Sequence, residues 1–415
     1  MKDTPFLLLG PIRQLLTLSN LPDRGGIADD ALMPLTNGGI LMRGEHIYRV
    51  GPFCELVAEA TALQATFVEL SDDFIGMPGL VDAHTHICFA GSRAGDYALR
   101  NAGKTYLEIA QTGGGIWDTV TQTRHTTLSD LTRLTVQRAN RHVRDGVTTI
   151  EVKSGYGLSI AEELKMLRAI EQANGQTVTD LISTCLAAHM LPKDYHGTAE
   201  RYLQELTEEL LPTLQTEQLT QRVDAFIEQG AFSAEQIAPY FAAAQRMGFS
   251  ITVHADQFHP GGSAVAVAFE ALSVDHLEAS GDHEIQLLAQ SRVIPVALPG
   301  ASLGLGCGFA PARRLLDAGT SLAIASDWNP GSAPMGDLLA QAAILGASEK
   351  LTTAEVLSGI TFRAALALNC TDRGKIQAGM LADLILFPGN DYREILYQQG
   401  RLKPQHVWKR GTLVG

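Results

Sequence analysis

Cysteine is scarce in this sequence, and long apolar runs are absent. The five cysteines are scattered through 415 residues without a Cys-x-x-Cys pair, which excludes a disulfide framework and favours reduced thiols. No segment approaches the roughly 18 consecutive apolar residues that a membrane span needs. The apolar stretch at 6–9 is too short for a signal peptide. We therefore expect a cytoplasmic protein with no membrane partner.

Basic residues are also in deficit, with 32 lysines and arginines against 45 aspartates and glutamates. The resulting net charge of -13 argues against nucleic acid or an anionic membrane as a partner. A hydrophobic content of 45% and a charged content of 19% are ordinary for a globular protein with a sizeable core. The chain length suits one large α/β barrel with a smaller appended unit.

The middle of the chain, from 76 to 371, alternates short apolar runs with stretches of helical length. Helical periodicity predicts helices at 128–145, 160–174 and 233–247. Eight strands that alternate with helices are typical of an α/β fold of the (β/α)8, TIM-like barrel class. The predicted strands are 79–83, 147–152, 181–187, 223–227, 250–253, 272–274, 293–298 and 322–325.

The two ends of the chain share a different sequence pattern, in which turn residues separate short strand-like runs. Such runs lie at 6–9, 39–42 and 46–50 near the N-terminus and at 384–387 and 406–408 near the C-terminus. The pairs Gly25-Gly26 and Gly38-Gly39 are interpreted as turns. We predict that 1–75 plus 372–415 form one composite β-sandwich domain beside a barrel at 76–371.

Most of the predicted barrel strands lead to a residue able to perform chemistry. Because active sites of such barrels are built where the strands end, these side chains should converge at one rim. In chain order they are His84 and His86, Lys153, His189, Glu228, His254, His276 and Asp327, whereas the seventh strand ends near Pro299 without such a group.

The segment PGLVDAHTH at 78–86 indicates a metal site. Residues two apart in a strand share a face, so His84 and His86 can bind one ion together. A catalytic zinc takes about three protein ligands plus water, which makes His254 the best third ligand and Asp327 the best fourth. Taken singly, an HxH pair, a lone histidine or a lone aspartate is common at such positions without a metal. Their joint placement after the first, fifth and eighth strands favours the metal site.

These motifs together resemble the amidohydrolase superfamily and, within it, the imidazolonepropionase family. The resemblance covers nearly the whole chain and rests on PGLVDAHTH at 78–86, AGSR at 90–93, TGGGI at 112–116, EVKSGYGL at 151–158, AAHMLP at 187–192, HADQ at 254–257, SVDHLE at 273–278, ALPGA at 297–301, SDWNPGSAP at 326–334 and GKIQAGMLADLILF at 374–387. KSGYGL and DxNPGS are its more specific parts.

The resemblance implies an activity and a metal centre. The activity is metal-dependent hydrolysis of the cyclic amide of 4-imidazolone-5-propanoate to N-formimidoyl-L-glutamate, a step of histidine catabolism. The centre is one zinc or iron ion held by His84, His86, His254 and Asp327, and the family is homodimeric. Lys153 matches the family lysine of EVKSGYG. A comparable lysine is carbamylated in two-metal relatives, which we do not expect here; the alternative is an ion pair with Glu151 or Glu228.

The expected substrate has a propanoate, which needs a cation. Arg93 can bind a carboxylate through two donors, although a surface salt bridge is the commoner fate of an arginine. Tyr156 and His189 match substrate-contacting positions of the family, with weaker support for Tyr106. Further predicted contacts come from Asn329, Gly331 and Ser332, although NPGS is also simply a good turn, and from Gln257.

The predicted chemistry assigns the proton transfers to Asp327 and His276. The metal ion lowers the pKa of a water molecule, and a base must take its proton and return it to the leaving nitrogen. Some family members have glutamate where this chain has Gln257, and an amide cannot act as a base. The alternative for His276 is a structural imidazole bonded to Asp275 or Glu278.

Two other functions stay open at this point. One is another cyclic amidohydrolase or a nucleobase deaminase, since these enzymes share the same ligand pattern. The other is a metal-free scaffold protein, against which the presence of every candidate ligand argues. The run Gly113-Gly114-Gly115 lacks the Lys-Ser/Thr of a P-loop and is interpreted as part of a lid.

Overall fold

The computed structural model of the protein describes residues 5–71, 73–104, 108 and 113–414. Its strands form two sheets. In chain order they are Phe6–Leu15 (β1), Leu35–Arg43 (β2), His46–Pro52 (β3), Thr66–Glu69 (β4), Phe74–Pro78 (β5), Leu80–Asp82 (β6), Val147–Lys153 (β7), Asp180–Ala188 (β8), Arg222–Ile227 (β9), Ser250–Ala255 (β10), Ser273–His276 (β11), Ile294–Ala297 (β12), Ala323–Ile324 (β13), Leu384–Pro388 (β14), His406–Lys409 (β15) and Thr412–Leu413 (β16).

The strands β6 to β13 form a parallel sheet in chain order, and each of them overlaps one of the predicted barrel strands. Most of their residues are buried, as expected for strands covered on both faces. The first and last strands meet just beyond their ends, where the Asp327 amide donates to the His84 carbonyl at 3.0 Å and the His86 amide donates to the Trp328 carbonyl at 3.0 Å. The prediction of a (β/α)8 barrel is therefore confirmed, and the barrel closes at the predicted metal ligands.

The chain also forms helices, most of them around the barrel, whereas the first one packs on β1, β2 and β3. They are Phe53–Ala62 (α1), Ala94–Asn101 (α2), Ile116–His125 (α3), Leu128–Arg144 (α4), Ile160–Asn174 (α5), Ala199–Glu205 (α6), Leu211–Glu217 (α7), Ala234–Arg246 (α8), Gly262–Ala268 (α9), Asp282–Ala289 (α10), Pro299–Leu305 (α11), Ala312–Asp317 (α12), Leu338–Glu349 (α13), Thr353–Gly359 (α14), Phe362–Ala367 (α15) and Glu394–Tyr397 (α16). A 3-10 turn, Asp29–Ala31, and a π turn, Leu206–Leu210, complete the described elements.

The three predicted helices are present as α4, α5 and α8, each begun by a hydroxyl side chain that caps the first turn. Thr127, Ser159 and Ser233 accept hydrogen bonds from the amides of the residue three positions on. Among the described residues, no helix combines the length and the apolar character required to cross a membrane.

The second sheet combines both ends of the chain, as predicted. Its order is β16-β15-β14-β5-β1-β2-β3, with β4 paired to β1. The pairing of β14 with β5 joins the C-terminal strands to the N-terminal ones. The proposed domain boundary between 75 and 76 falls inside β5. The division of the chain into these two domains stays a prediction.

The interpretation of Gly38-Gly39 as a turn is wrong, because both glycines lie inside β2. A Cβ atom on Gly38 would lie 2.9 Å from the Cβ of Leu15, and one on Gly39 would lie 3.1 Å from the backbone of Phe53. These glycines permit close approach of β1 and α1 to the strand, which is the other common reason for glycine within a sheet.

Candidate metal centre and active site

The four predicted ligands converge at the C-terminal rim of the barrel. His84 and His86 follow β6, His254 lies in β10, and Asp327 follows β13. The Nε2 atom of His86 is 3.2 Å from His84 Nε2, 3.4 Å from His254 Nε2 and 3.4 Å from Asp327 Oδ1. His84 Nε2 is 3.6 Å from the same carboxylate oxygen. All four side chains are almost completely buried.

This spacing fits a divalent cation. Zinc bonds of about 2.0–2.1 Å in a tetrahedral arrangement put neighbouring ligand atoms about 3.3 Å apart. The Nδ1 atom of His84 lies 2.6 Å from Asp275 Oδ2, and that of His254 lies 2.9 Å from Asp224 Oδ2. With protons on those Nδ1 atoms, the Nε2 atoms present lone pairs toward one another. Such lone pairs repel unless a cation lies between them.

The electrostatics keep these imidazoles neutral. Burial, together with the positive charge of Lys153, holds the pKa of His84 well below its ordinary value. Burial also lowers the pKa of His86, and it lowers that of His254 to about 4. Neutral imidazole is the form that binds metal ions. The ligand set is therefore prepared for a metal at neutral pH.

Lys153 lies beneath this ligand set at the end of β7. Its Nζ atom is 2.8 Å from Glu151 Oε1, 2.8 Å from Asp224 Oδ2 and 3.5 Å from Asp275 Oδ2. The predicted ion pair with Glu151 is thus present, and Glu228 is not part of it. Glu228 instead accepts from the amides of Phe258 and His259 at 2.9 and 3.1 Å.

Asp327 and His276, the predicted proton carriers, stand beside each other in the same site. Burial raises the pKa of Asp327 to about 7. Burial alone would lower the pKa of His276, but the carboxylates of Glu278, Asp327 and Asp275 raise it. Both residues have positive φ, 84° for His276 and 48° for Asp327. Non-glycine residues in this region cost energy and are frequent at functional sites.

A cavity of about 530 Å³ opens above the ligands. It is lined by Arg93, Tyr156, His189 and Gln257, as well as by His86, His254 and Asp327. The His189 ring stacks on that of His86 at 5.9 Å, and its Nδ1 atom lies 2.9 Å from the Gly155 carbonyl oxygen. The structure therefore brings the predicted ring-binding residues and Arg93 into one cavity. Tyr106 lies outside the described residues.

Arg93 is held in place by Asp96, whose Oδ2 accepts from Arg93 Nε at 2.8 Å. The same oxygen accepts from the Gly115 amide at 2.8 Å. This leaves the outer guanidinium nitrogens of Arg93 toward the cavity wall formed by Gly331. Arg100, which the sequence analysis did not single out, donates to the Gly331 carbonyl at 3.3 Å and lines the same cavity.

The turn after Asp327 is held by the Asn329 side chain. Its Nδ2 donates to the Asp327 carbonyl at 2.7 Å and to Ser332 Oγ at 2.9 Å, and its Oδ1 accepts from the amides of Gly331 and Ser332 at 2.7 and 2.8 Å. An amide side chain has two donors and two acceptor positions, so Asn329 is fully occupied. A ligand contact from Asn329, or from the Gly331 amide, requires one of these bonds to be exchanged.

Gly331 also has a steric reason to be glycine. A Cβ atom there would lie 2.2 Å from Arg93 Nη1. The glycine therefore makes room for the arginine, in addition to any approach of a ligand.

The carboxylates that face the Nδ1 atoms of the ligand histidines were not predicted from the sequence. Asp224 is the third residue of β9, and Asp275 precedes His276 in β11. Both are completely buried, as is Glu151 in β7. An acidic residue inside an apolar strand was the signal that could have found them, because buried charges are almost always paired.

Comparison with known proteins gives the family. The model of the amidohydrolase family matches residues 75–414. An imidazolonepropionase from Deinococcus radiodurans is 41% identical over 402 residues, which cover 97% of this chain and 98% of the relative. One from Myxococcus xanthus is 39% identical and covers 93% of this chain and 92% of its own.

The chain belongs to the amidohydrolase family, as a relative of the imidazolonepropionases. The resemblance inferred from the sequence motifs is thereby confirmed. Among solved structures, an atrazine chlorohydrolase from Arthrobacter aurescens complexed with zinc superposes on this amidohydrolase with a TM-score of 0.71 at 14% identity, covering 98% of this chain and 94% of that one. An adenosine deaminase from Xanthomonas campestris with bound zinc gives 0.69 at 20% identity, with 98% and 92% covered. At such identities the likeness concerns the fold alone.

Proposed function

We propose that this amidohydrolase hydrolyses the ring amide of 4-imidazolone-5-propanoate to N-formimidoyl-L-glutamate in histidine catabolism. It is a hydrolase of carbon–nitrogen bonds in a cyclic amide. The proposal rests on one observation above all: His84 Nε2, His254 Nε2 and Asp327 Oδ1 each lie 3.2–3.4 Å from His86 Nε2, at the floor of a cavity that Arg93 also lines. The names of its full-length relatives support the same substrate.

The binding mode follows from the distribution of charge in the cavity. The imidazolone ring lies over His86 and His254, with Tyr156 and His189 along its sides. The propanoate extends to Arg93, the cation already fixed by Asp96. Gln257 and the turn of Asn329 to Ser332 complete the predicted contacts.

The reaction adds water across the ring C–N bond. His84, His86, His254 and Asp327 would hold the metal ion, which when bound would lower the pKa of a water molecule and polarise the ring carbonyl. Asp327 takes a proton from water, because a carboxylate has a second oxygen that can accept it. The water oxygen becomes part of the new carboxylate. The proton passes by way of Asp327 and His276 to the leaving ring nitrogen.

The substrate assignment is tested by turnover of the purified, zinc-loaded protein. We expect 4-imidazolone-5-propanoate to yield N-formimidoyl-L-glutamate, identified by mass spectrometry, with cytosine and guanine unchanged. Turnover of a nucleobase without turnover of the imidazolone would support the deaminase alternative and reject the proposal. A metal-free scaffold protein would show neither turnover nor bound metal.

The finer properties of the protein are also proposals. We propose one divalent ion per subunit, zinc or iron, because one set of four converging ligands fits a single cation. Family resemblance favours a homodimer, and the composition favours a cytoplasmic location. Metal analysis per subunit and analytical ultracentrifugation test the first two; fluorescence microscopy of a tagged chain tests the third.

A further inference from the structure

Lys153 forms the centre of a buried ionic cluster below the metal ligands. Its Nζ atom contacts Glu151 and Asp224 at 2.8 Å each, and Asp275 at 3.5 Å. The four side chains are completely buried. Since they come from β7, β9 and β11, the cluster spans the inside of the barrel. Within it, three carboxylates surround one ammonium group.

Two of these carboxylates also face the proposed metal ligands, through the same oxygens that face Lys153. Asp224 Oδ2 lies 2.9 Å from His254 Nδ1 as well as 2.8 Å from the lysine. Asp275 Oδ2 lies 2.6 Å from His84 Nδ1 and 3.5 Å from the lysine. A single carboxylate oxygen therefore lies between the ammonium group and each of two ligand histidines.

The contact with Lys153 fixes where these carboxylates point. A buried carboxylate that loses its cation turns toward other donors. Asp224 and Asp275 would then no longer present an oxygen to the Nδ1 atoms of His254 and His84. The partner on Nδ1 fixes the orientation and the tautomer of a ligand histidine, and with them the direction of the Nε2 lone pair. The ammonium group therefore keeps both carboxylate oxygens facing their histidines.

We infer that Lys153 is a positioning residue of the metal centre, which sets the orientation and tautomer of His84 and His254 through Asp275 and Asp224. The inference rests on the proposed metal site but goes beyond it. The same geometry argues against a carbamate on Lys153, because a carbamate would add a fourth negative charge between three carboxylates. The ammonium instead supplies the cation that the donor cluster of Asp224, His254 and Asp275 would otherwise accept.

The test compares two variants, each of which removes one buried lysine. One lysine lies beside the metal ligands, and the other lies far from them. Lys153→Met keeps the length of the side chain and removes its charge. Lys409→Met is the matched control, because Lys409 is also a buried lysine between carboxylates. It lies in β15 of the second sheet, with Nζ 2.7 Å from Asp383 and 2.8 Å from Asp180. Zinc dissociation constants of the metal-stripped proteins are measured by competition with a chromogenic chelator, and Tm is measured alongside.

We expect Lys153→Met to weaken zinc binding about 10- to 100-fold, the range for lost partners of ligand histidines. Lys409→Met should lower Tm but change the zinc dissociation constant by less than about threefold, within ordinary variation of distant sites. Unchanged zinc affinity in Lys153→Met, or an equal loss in Lys409→Met, would overturn the inference. Failure of wild-type protein to bind zinc would instead reject the proposed function.

The double variant Lys153→Met/Glu151→Gln covers the case in which the single variant does not fold. It removes one positive and one negative charge, so the net charge of the cluster is unchanged. The acid group of Glu151 contacts the lysine through Oε1 and the Thr85 amide, between His84 and His86, through Oε2 at 3.4 Å, so Glu151→Gln alone is measured as its control. The inference expects the double variant to lose zinc affinity by the same 10- to 100-fold. Wild-type affinity in this variant would reject a role for the lysine itself.

Discussion

Five histidines meet at the rim of the barrel, and the groups around three of them, His84, His254 and His276, divide these three into two kinds. His84 and His254 face carboxylates through Nδ1 and have lowered pKa values, with burial as the main cause. His276 has a raised pKa, because the carboxylates around it outweigh burial. Its Nδ1 atom lies 3.6 Å from Glu278 Oε2. The neutral imidazoles suit metal binding, whereas His276 suits proton transfer.

Replacement of His276 by alanine should lower kcat about 10²- to 10⁴-fold, the usual contribution of a general acid or base. Zinc content should stay at the wild-type level, since His276 is outside the proposed ligand set. Turnover and metal content are measured on the same sample. A near-normal rate with full metal would eliminate the relay.

Glu278→Gln tests the same relay through pH. Glu278 raises the pKa of His276, so its removal should lower that pKa. If protonated His276 donates to the leaving nitrogen, activity falls as pH rises through this pKa. The alkaline limb of the kcat profile should therefore move to lower pH in the variant. A limb that stays in place, or moves upward, contradicts the assignment.

Arg93→Ala should raise KM for the propanoate substrate about 10- to 100-fold, as expected for the loss of a charged hydrogen bond. The carboxylate is remote from the reacting carbon, so kcat should change little. Arg133→Ala is the control, because Arg133 is exposed and paired with Asp130 at 3.1 Å. An unchanged KM in Arg93→Ala would show that the carboxylate binds elsewhere, with Arg100 as the next candidate.

The sequence predicted these reactive residues better than their supports. His84, His254 and Asp327 each follow a recognisable strand, so their convergence was predictable from the barrel alone. Asp224 and Asp275 lie within strands, where single-sequence patterns give no partner. Pairings such as Asp275 with His84 join residues 191 positions apart. Only the closed sheet determines which carboxylate meets which histidine.

At the scale of elements, one buried glutamate shapes the loop between β7 and α5. Glu163 Oε1 accepts from the amides of Gly157 and Leu158 at 2.8 and 2.7 Å, and Oε2 accepts from that of Gly155 at 3.0 Å. Tyr156 lies between these anchored residues. The loop is therefore fixed by three hydrogen bonds to a single carboxylate.

Glu163→Gln should disturb this loop, since the new amide group would direct its own N–H bonds at a backbone donor. We expect KM for the imidazolone to rise about tenfold, roughly the loss of one hydrogen bond, with zinc affinity unchanged. The neighbouring variant Glu162→Gln is the control, because Glu162 pairs with Lys165 on the outer face of the helix. Equal kinetics in the two variants would contradict the role of Glu163.

Secondary structure was predictable from the sequence where an element is buried along its whole length. It was not predictable where most of an element is exposed. The barrel strands are buried on both faces and mostly apolar, so they appear as recognisable runs. The short strand β4 has mostly exposed residues, and β5 adjoins the first barrel run with one residue, Gly79, between them. The sequence of β4 therefore lacks an apolar run, and that of β5 lacks a turn before the barrel strand. Neither strand was predicted. Helix α1 was missed for a related reason, because only Leu56 and Ala60 are buried in it.

At the scale of the whole molecule, Asp180 connects the barrel to the C-terminal strands. It begins β8, and its Oδ2 lies 2.6 Å from Arg373 Nη1 and 2.8 Å from Lys409 Nζ. Arg410 Nη2 lies 3.1 Å from Oδ1. Burial alone would raise the pKa of Asp180, but these three cations bring it below the ordinary value.

Asp180→Asn should therefore lower the free energy of unfolding at pH 7 by about 1–3 kcal/mol, between the values for exposed and buried ion pairs. The contribution of Asp180 is present above the ordinary aspartate pKa of about 4 and is lost as pH falls through its lowered folded value. Urea unfolding at several pH values should thus show wild type and variant converging in acid. Asp391→Asn, which removes an exposed pair with Arg393, should cost less than about 1 kcal/mol.

Because Asp180 is far from the ligands in the fold, zinc affinity should not change. A variant that lost zinc affinity without losing stability would mean that this junction serves the metal centre and not the union of the two sheets.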